Sequence, residues 1–139
     1  MTVESIDHVN IRTPDVPGTT RFFVDVLGMR AEPTPGINDI TTGAWIYSQD
    51  GKAAVHVIKD SFPVSMNGAD GDLPADRKGS GRVHHVALRC SDFDGVCAKL
   101  RDHQLEFQST DLRPFNMQLR QVFVSETNGV LLELNFFGD

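Results

Sequence analysis

The 139-residue chain has two cysteines, one tryptophan and one tyrosine, and it lacks any cluster of Lys and Arg. Cys90 and Cys97 form no CxxC pair, which fits a reducing compartment, and both read as ordinary buried thiols. Lys and Arg number 13 against 19 Asp and Glu, for a formal net charge of -6. That balance excludes nucleic acid as an expected partner. No apolar run approaches a membrane span, and the N-terminus lacks a charged-then-apolar signal pattern. A cytoplasmic protein with no membrane partner is therefore expected. What the chain does have is 40% hydrophobic residues against 23% charged ones. This is enough for one compact domain, or two small units sharing a core.

The main organising feature is a repeat. I-D-H-V-N-I-R around His8 aligns with V-H-H-V-A-L-R around His85, and the same offset of 77 carries His56 onto Glu133. Asp50-Gly51 and Asn128-Gly129 supply turn signals just before the last strand of each half, one residue out of register. Each half reads as strand, helix, then about three strands. The first half predicts strands over 6–12, 43–48 and 53–58, with a weak one over 29–33. The second predicts 82–90, 106–112, 117–125 and 130–136. "DVPGTTRFFVDVLG" reads as a helix stopped by Gly28, and "DFDGVCAKLRDHQL" has helical spacing at Val96, Leu100 and Leu105. Thr13 and Ser91, followed by Asp15 and Asp92, suit the polar start of those helices. The organisation expected is a first module over 1–58, a linker or flap over 59–81 rich in Gly, Pro, Asp and Ser, and a second module over 82–139.

Alternation along a strand places His8, Asn10 and Arg12 on one face, with Val9 and Ile11 on the other. In the second half, His85, Ala87 and Arg89 share the matching face. His84 occupies the slot of Asp7 and falls on the opposite face, at an edge or in solvent. The repeat thus puts one ionisable residue at each of four equivalent points: His8, His56, His85 and Glu133. Such a set suits one divalent ion (Fe, Ni, Co, Mn or Zn) with positions left open for substrate or water. A buried Glu133 would carry a heavy desolvation cost that a metal offsets. His56 has an alternative place beside the metal or facing substrate. His103 follows no repeat and reads as exposed.

The segments "IDHVNIRTPD", "RFFVDVLGM", "VHHVALRCSDFD" and "RQVFVSETNGVLLELNF" resemble the vicinal oxygen chelate superfamily, over nearly the whole chain. That superfamily contains glyoxalase I, methylmalonyl-CoA epimerase, fosfomycin-resistance proteins, extradiol dioxygenases and bleomycin-binding proteins. The resemblance implies an α+β fold of two βαβββ modules forming an open, barrel-like mixed sheet around a metal cleft. It implies ligands from the first and last strands of each module, hence His8, His56, His85 and Glu133. It also implies a homodimer, with the site formed within one chain or shared between two. "SETNG" stands where the family usually has Asp-Pro-Asp-Gly. His56 stands where glyoxalase I has Glu and the epimerase has Gln. His8, His85 and Glu133 alone would be the two-histidine, one-carboxylate set of non-haem iron oxygenases.

The function expected is a metal-dependent lyase or isomerase that stabilises an enediolate-like intermediate of a small oxygenated substrate. Two alternatives stand beside it: a non-haem Fe(II) extradiol-type dioxygenase and a metal-free, bleomycin-resistance-like drug-binding protein. Glu133 is the first candidate for proton transfer, with a neutral His56 as the second. For substrate binding the candidates are Arg12, Arg89, Trp45, Asn135 and Arg120. Tyr47 shares the face of Trp45 as core, wall or interface, and Phe115 sits at a hairpin tip.

Overall fold

Two aspartates start the two helices. Asp15 accepts the Gly18 N–H at 3.0 Å and Asp92 accepts the Gly95 N–H at 3.1 Å, each satisfying an amide left bare in the first turn. A side chain at Gly18 or Gly95 would collide with its capping carboxylate, which accounts for glycine at both places. Thr13 plays a supporting part: its Oγ1 accepts the Asp15 N–H at 3.1 Å and the Thr19 hydroxyl at 3.2 Å.

The computed structural model describes residues 4–62, 78–81 and 83–138. They fall in two compact units, Met1–Arg77 and Lys78–Asp139. Most of the expected linker, residues 63–77, lies outside the described residues, as does Arg82.

The first unit runs β1 (Val9–Thr13), α1 (Val16–Arg21), a π-helical turn (Phe22–Val26), β2 (Arg30–Pro33), β3 (Gly43–Tyr47) and β4 (Ala53–Lys59). Its sheet has the order β1-β4-β3-β2, with β1 parallel to β4 and the remaining pairs antiparallel. The π-helical turn follows α1 directly and leaves the consecutive Phe22 and Phe23 both buried, edge to face at 5.4 Å. They pack with Ile11, Val16, Val26, Ala44, Ile46, Val55 and Val57 as the buried apolar set of this unit. Gly28 follows at φ +70°, the left-handed stop that glycine adopts without strain.

The second unit repeats the plan: β5 (Val86–Cys90), α2 (Phe93–Asp102), β6 (Gln108–Asp111), a 3-10 turn (Arg113–Phe115), β7 (Leu119–Ser125) and β8 (Leu131–Phe137). The sheet order is β5-β8-β7-β6, again with only the first pair parallel. Cys97 and Leu100 of α2 are buried, as are Val122, Val124, Leu132, Leu134 and Phe136 of the sheet. The fold is α+β, two βαβββ modules each built on a four-stranded mixed sheet. No helix among the described residues is long and apolar enough to cross a membrane.

The repeat extends to the strand register. Val9 pairs with Val55 and Val86 with Leu132; Asn10 pairs with His56 and Ala87 with Glu133. All four partners are related by the offset of 77. Trp45 opposes His56 while Phe123 opposes Glu133, an offset of 78 on the neighbouring strand. A register shift between Ile46 and Tyr47 accompanies the extra residue that the two turns had shown in sequence. One expectation needs correcting. The first strand of each half starts late, at Val9 and Val86, because pairing to β4 and β8 begins there. Within the polar helix starts expected at Thr13–Asp15 and Ser91–Asp92, the capping oxygens come from Asp15 and Asp92.

The "SETNG" turn is built around a buried carboxylate. Glu126 is 3% exposed. One of its oxygens accepts the Val130 N–H at 3.0 Å; the other accepts the Asn128 N–H at 2.9 Å and the Asn128 side-chain amide at 3.0 Å. Glutamate thereby closes the turn between β7 and β8 with its own side chain.

Candidate functional site

In the first unit, three rings stack on one face of the sheet. Trp45 on β3 lies opposite His56 on β4, and their rings are 4.5 Å apart and 9° from parallel. His8, just before β1, covers the other side of His56 at 3.8 Å and 14°. Burial lowers the pKa of His56 below its ordinary value, and the neighbouring His8 pushes it in the same direction. His56 is thereby biased toward its neutral form. Asp7 accepts from His8 Nδ1 at 2.7 Å, and this hydrogen bond is the main reason its pKa lies below the ordinary carboxylate value.

The stacking limits what the two histidines can do together. Imidazole lone pairs lie in the ring plane, so two nearly parallel rings aim their nitrogens alongside each other and do not converge on one ion. His8 and His56 are brought together as a stacked pair, with no chelating geometry.

The second unit arranges its residues differently. Glu133 on β8 lies opposite Phe123 on β7 and beside Ala87 on β5. Its Oε1 is 3.8 Å from His85 Nε2, too long for a direct hydrogen bond. Its Oε2 accepts the Asn135 amide at 3.0 Å, and the Asn135 oxygen accepts the Gln121 amide at 3.0 Å. Glu133 is 17% exposed and His85 39%. Donors bound to one divalent ion at roughly 2.0–2.2 Å lie at most about 4.4 Å apart. The His85–Glu133 gap fits a shared ion, and nitrogen with carboxylate oxygen is a donor set that such an ion accepts.

The remaining candidates have clear surroundings. Arg12 donates to the carbonyls of Asp60 at 2.6 Å and Phe62 at 2.8 Å, fastening the chain that leaves β4. Arg89 lies over the Phe137 ring at 4.2 Å, and Arg120 over Phe93 at 4.2 Å. Tyr47 lies under Arg30 at 4.3 Å. Phe115 is exposed on the 3-10 turn, and His103 accompanies the end of α2 through Lys99 O at 2.9 Å. Among the described residues, no cluster of three or more His, Cys, Asp or Glu is assembled around one point.

His84 is exposed, as expected, but it is not turned away from its neighbour. The Nδ1 atoms of His84 and His85 are 2.9 Å apart. Strand alternation does not govern the pair, since β5 starts only at Val86. Sequence reasoning also gave no role to Asp7 or Gln121. The signal for Asp7 was its place in the repeat opposite His84. For Gln121 it was the alternation that puts it on the face of Phe123, next to β8.

Residues 5–134 match the model of the Glyoxalase/Bleomycin resistance protein/Dioxygenase superfamily. The chain belongs to this superfamily. Among its relatives in the glyoxalase superfamily is MhqA of Bacillus subtilis (strain 168), described as a candidate ring-cleaving dioxygenase, 26% identical over 132 residues. The match covers 94% of this chain but 39% of MhqA, so the chain spans about two fifths of that relative. Two solved structures share the fold over nearly their whole length. Lactoylglutathione lyase from Agrobacterium tumefaciens has a TM-score of 0.63 at 10% identity, covering 98% of this chain and 96% of that one. TnmS3, an antibiotic binding protein from Streptomyces sp. CB03234, has a TM-score of 0.64 at 18% identity and covers 99% of each.

Proposed function

We propose that this glyoxalase-superfamily chain is a metal-dependent enzyme that opens the ring of a small aromatic diol with dioxygen. The observation that carries the reading is the stack of His56 between Trp45 and His8. It argues against His8 and His56 acting as ligands together, which supports the smaller donor set that the sequence offers, His8, His85 and Glu133, over the four-ligand one. Two histidines and one carboxylate are the set that suits non-haem Fe(II) oxygenases. The likeness to MhqA supports the same reading.

Bound there, ferrous iron would supply Lewis acidity toward two adjacent substrate oxygens and a path for electrons to dioxygen. The chain's own residues supply the rest. His56, biased toward its neutral form by burial, takes a proton from a substrate hydroxyl as general base and returns it at ring opening. Trp45 holds the His56 ring flat and offers an apolar wall. Asn135, steadied by Gln121, fixes one Glu133 oxygen and leaves the other toward His85.

A lyase or isomerase reading uses the same residues to move a proton next to a carbonyl, with Glu133 as base, and the fold shared with lactoylglutathione lyase keeps it in view. The test is oxygen uptake by the protein loaded with ferrous iron under nitrogen, against catechols and hydroquinones. The expected result is stoichiometric oxygen consumption with a ring-opened product. In His56→Gln, turnover falls by about 10²–10⁴-fold while iron content stays unchanged. Turnover of hemithioacetals with nickel or zinc, and no oxygen uptake, would move the assignment to the lyase. Tight binding of an antibiotic with no metal uptake would make the chain a binding protein.

A further inference from the structure

In each unit, the residue immediately before the repeat's first histidine ligand candidate, His8 or His85, touches that histidine's Nδ1. Asp7 meets His8 at 2.7 Å, and His84 meets His85 at 2.9 Å. Asp7 and His84 are themselves equivalent under the offset of 77. The contact has therefore been kept across the repeat while its chemistry changed from carboxylate to imidazole.

A carboxylate has no proton to give, so the Asp7 contact requires the proton on His8 Nδ1. In the histidine pair, one Nδ1 donates and the other accepts. The distance on the far side of His85 decides which. An Nε2–H facing Glu133 would draw the carboxylate to about 2.7–2.9 Å, whereas the gap is 3.8 Å. The longer gap favours the proton on His85 Nδ1, with His84 as its acceptor.

We infer that Asp7 and His84 are positioning residues that set the tautomer of His8 and His85, each accepting Nδ1–H and leaving Nε2 bare for a divalent cation. The inference rests on the proposed function only in treating the two histidines as ligands. Groups that orient ligand histidines in this way are worth about 10–100-fold in metal affinity. The two are unequal: a carboxylate makes the ring a stronger donor than a neutral imidazole does. Asp7 should therefore contribute more than His84.

The test uses the full chain, ¹⁵N-labelled and metal-free, at about pH 8, above the ordinary histidine range. Long-range nitrogen–proton correlation reads the tautomers directly, and titration with Co²⁺ alone reads affinity. Both rings should be Nδ1–H in the unaltered chain. His84→Ala should shift His85 toward Nε2–H and weaken cobalt binding by about tenfold, and Asp7→Ala should cost nearer a hundredfold. His84→Asp, which installs the residue that the first half carries, should restore both the tautomer and the affinity. Asp7 and His84 are exposed, and far-UV circular dichroism should show every variant folded. An Nε2–H tautomer at His85 in the unaltered chain, or a His84→Ala variant with unchanged tautomer and affinity, would overturn the inference. A chain that binds no cobalt but shows both Nδ1–H tautomers would defeat the metal reading and leave the tautomer assignment standing.

Discussion

His56 is the residue on which the functional reading turns, and its surroundings explain its properties. An imidazole between an indole and a second imidazole loses water on both ring faces, which disfavours the charged form. Between its depressed folded value and the unfolded value of about 6.5, the unfolded chain binds a proton that the folded chain refuses. The His56 contribution to stability is thus complete above that window and is lost as pH falls through it. Trp45→Leu should raise the His56 midpoint toward the ordinary value, read by NMR titration of its ring protons. An unchanged midpoint would mean that the indole does not control the ring's hydration. The thiols offer a second check at this scale. Burial pushes Cys90 up to about 11 and raises Cys97 as well, so both should resist thiol reagents at neutral pH until the chain is unfolded. Rapid labelling of the folded chain would contradict that burial. His56 and Glu133 were legible as a pair from one sequence offset. The stacking of His56 was not, because offset and alternation give the face of a side chain but not the angle of its ring.

At the scale of elements, the two βαβββ modules show which local signals suffice. The turn signals, helix stops and apolar alternation placed every strand of both sheets, and the offset of 77 carried over into the pairing of β1 with β4 and β5 with β8. Strand starts were less legible, since pairing decides them and a partner strand is distant in sequence. The departure at "SETNG" was readable only as a change of turn, whereas the structure shows a buried Glu126 carrying its amides. Glu126→Ala strands the Asn128 and Val130 N–H groups and should destabilise the chain by about 2–3 kcal/mol, measured by urea unfolding. At the other hairpin, Arg113 donates to both Asp111 oxygens and lowers that carboxyl to about 2. Its contribution is present above the unfolded value of about 3.9 and is lost as pH falls through about 2. In Arg113→Ala the Asp111 carboxyl should titrate near the ordinary value, followed by its carbon chemical shift.

For the whole molecule, two related modules carry different side chains at equivalent positions. The first offers His8 with a stacked, neutral-leaning His56 beside it. The second offers His85 and Glu133 across 3.8 Å, with the carboxylate steadied by Asn135. Under the proposed function, metal binding at Glu133 and proton transfer at His56 fall to equivalent positions of the two halves. The most direct test is the metal stoichiometry of the anaerobically purified chain and its variants, by elemental analysis after loading with ferrous iron. The account predicts one ion per copy of the donor set, retained in His56→Gln and lost in Glu133→Ala and His85→Ala. An unaltered chain that takes up no metal, or a Glu133→Ala chain that keeps its full complement, would contradict it.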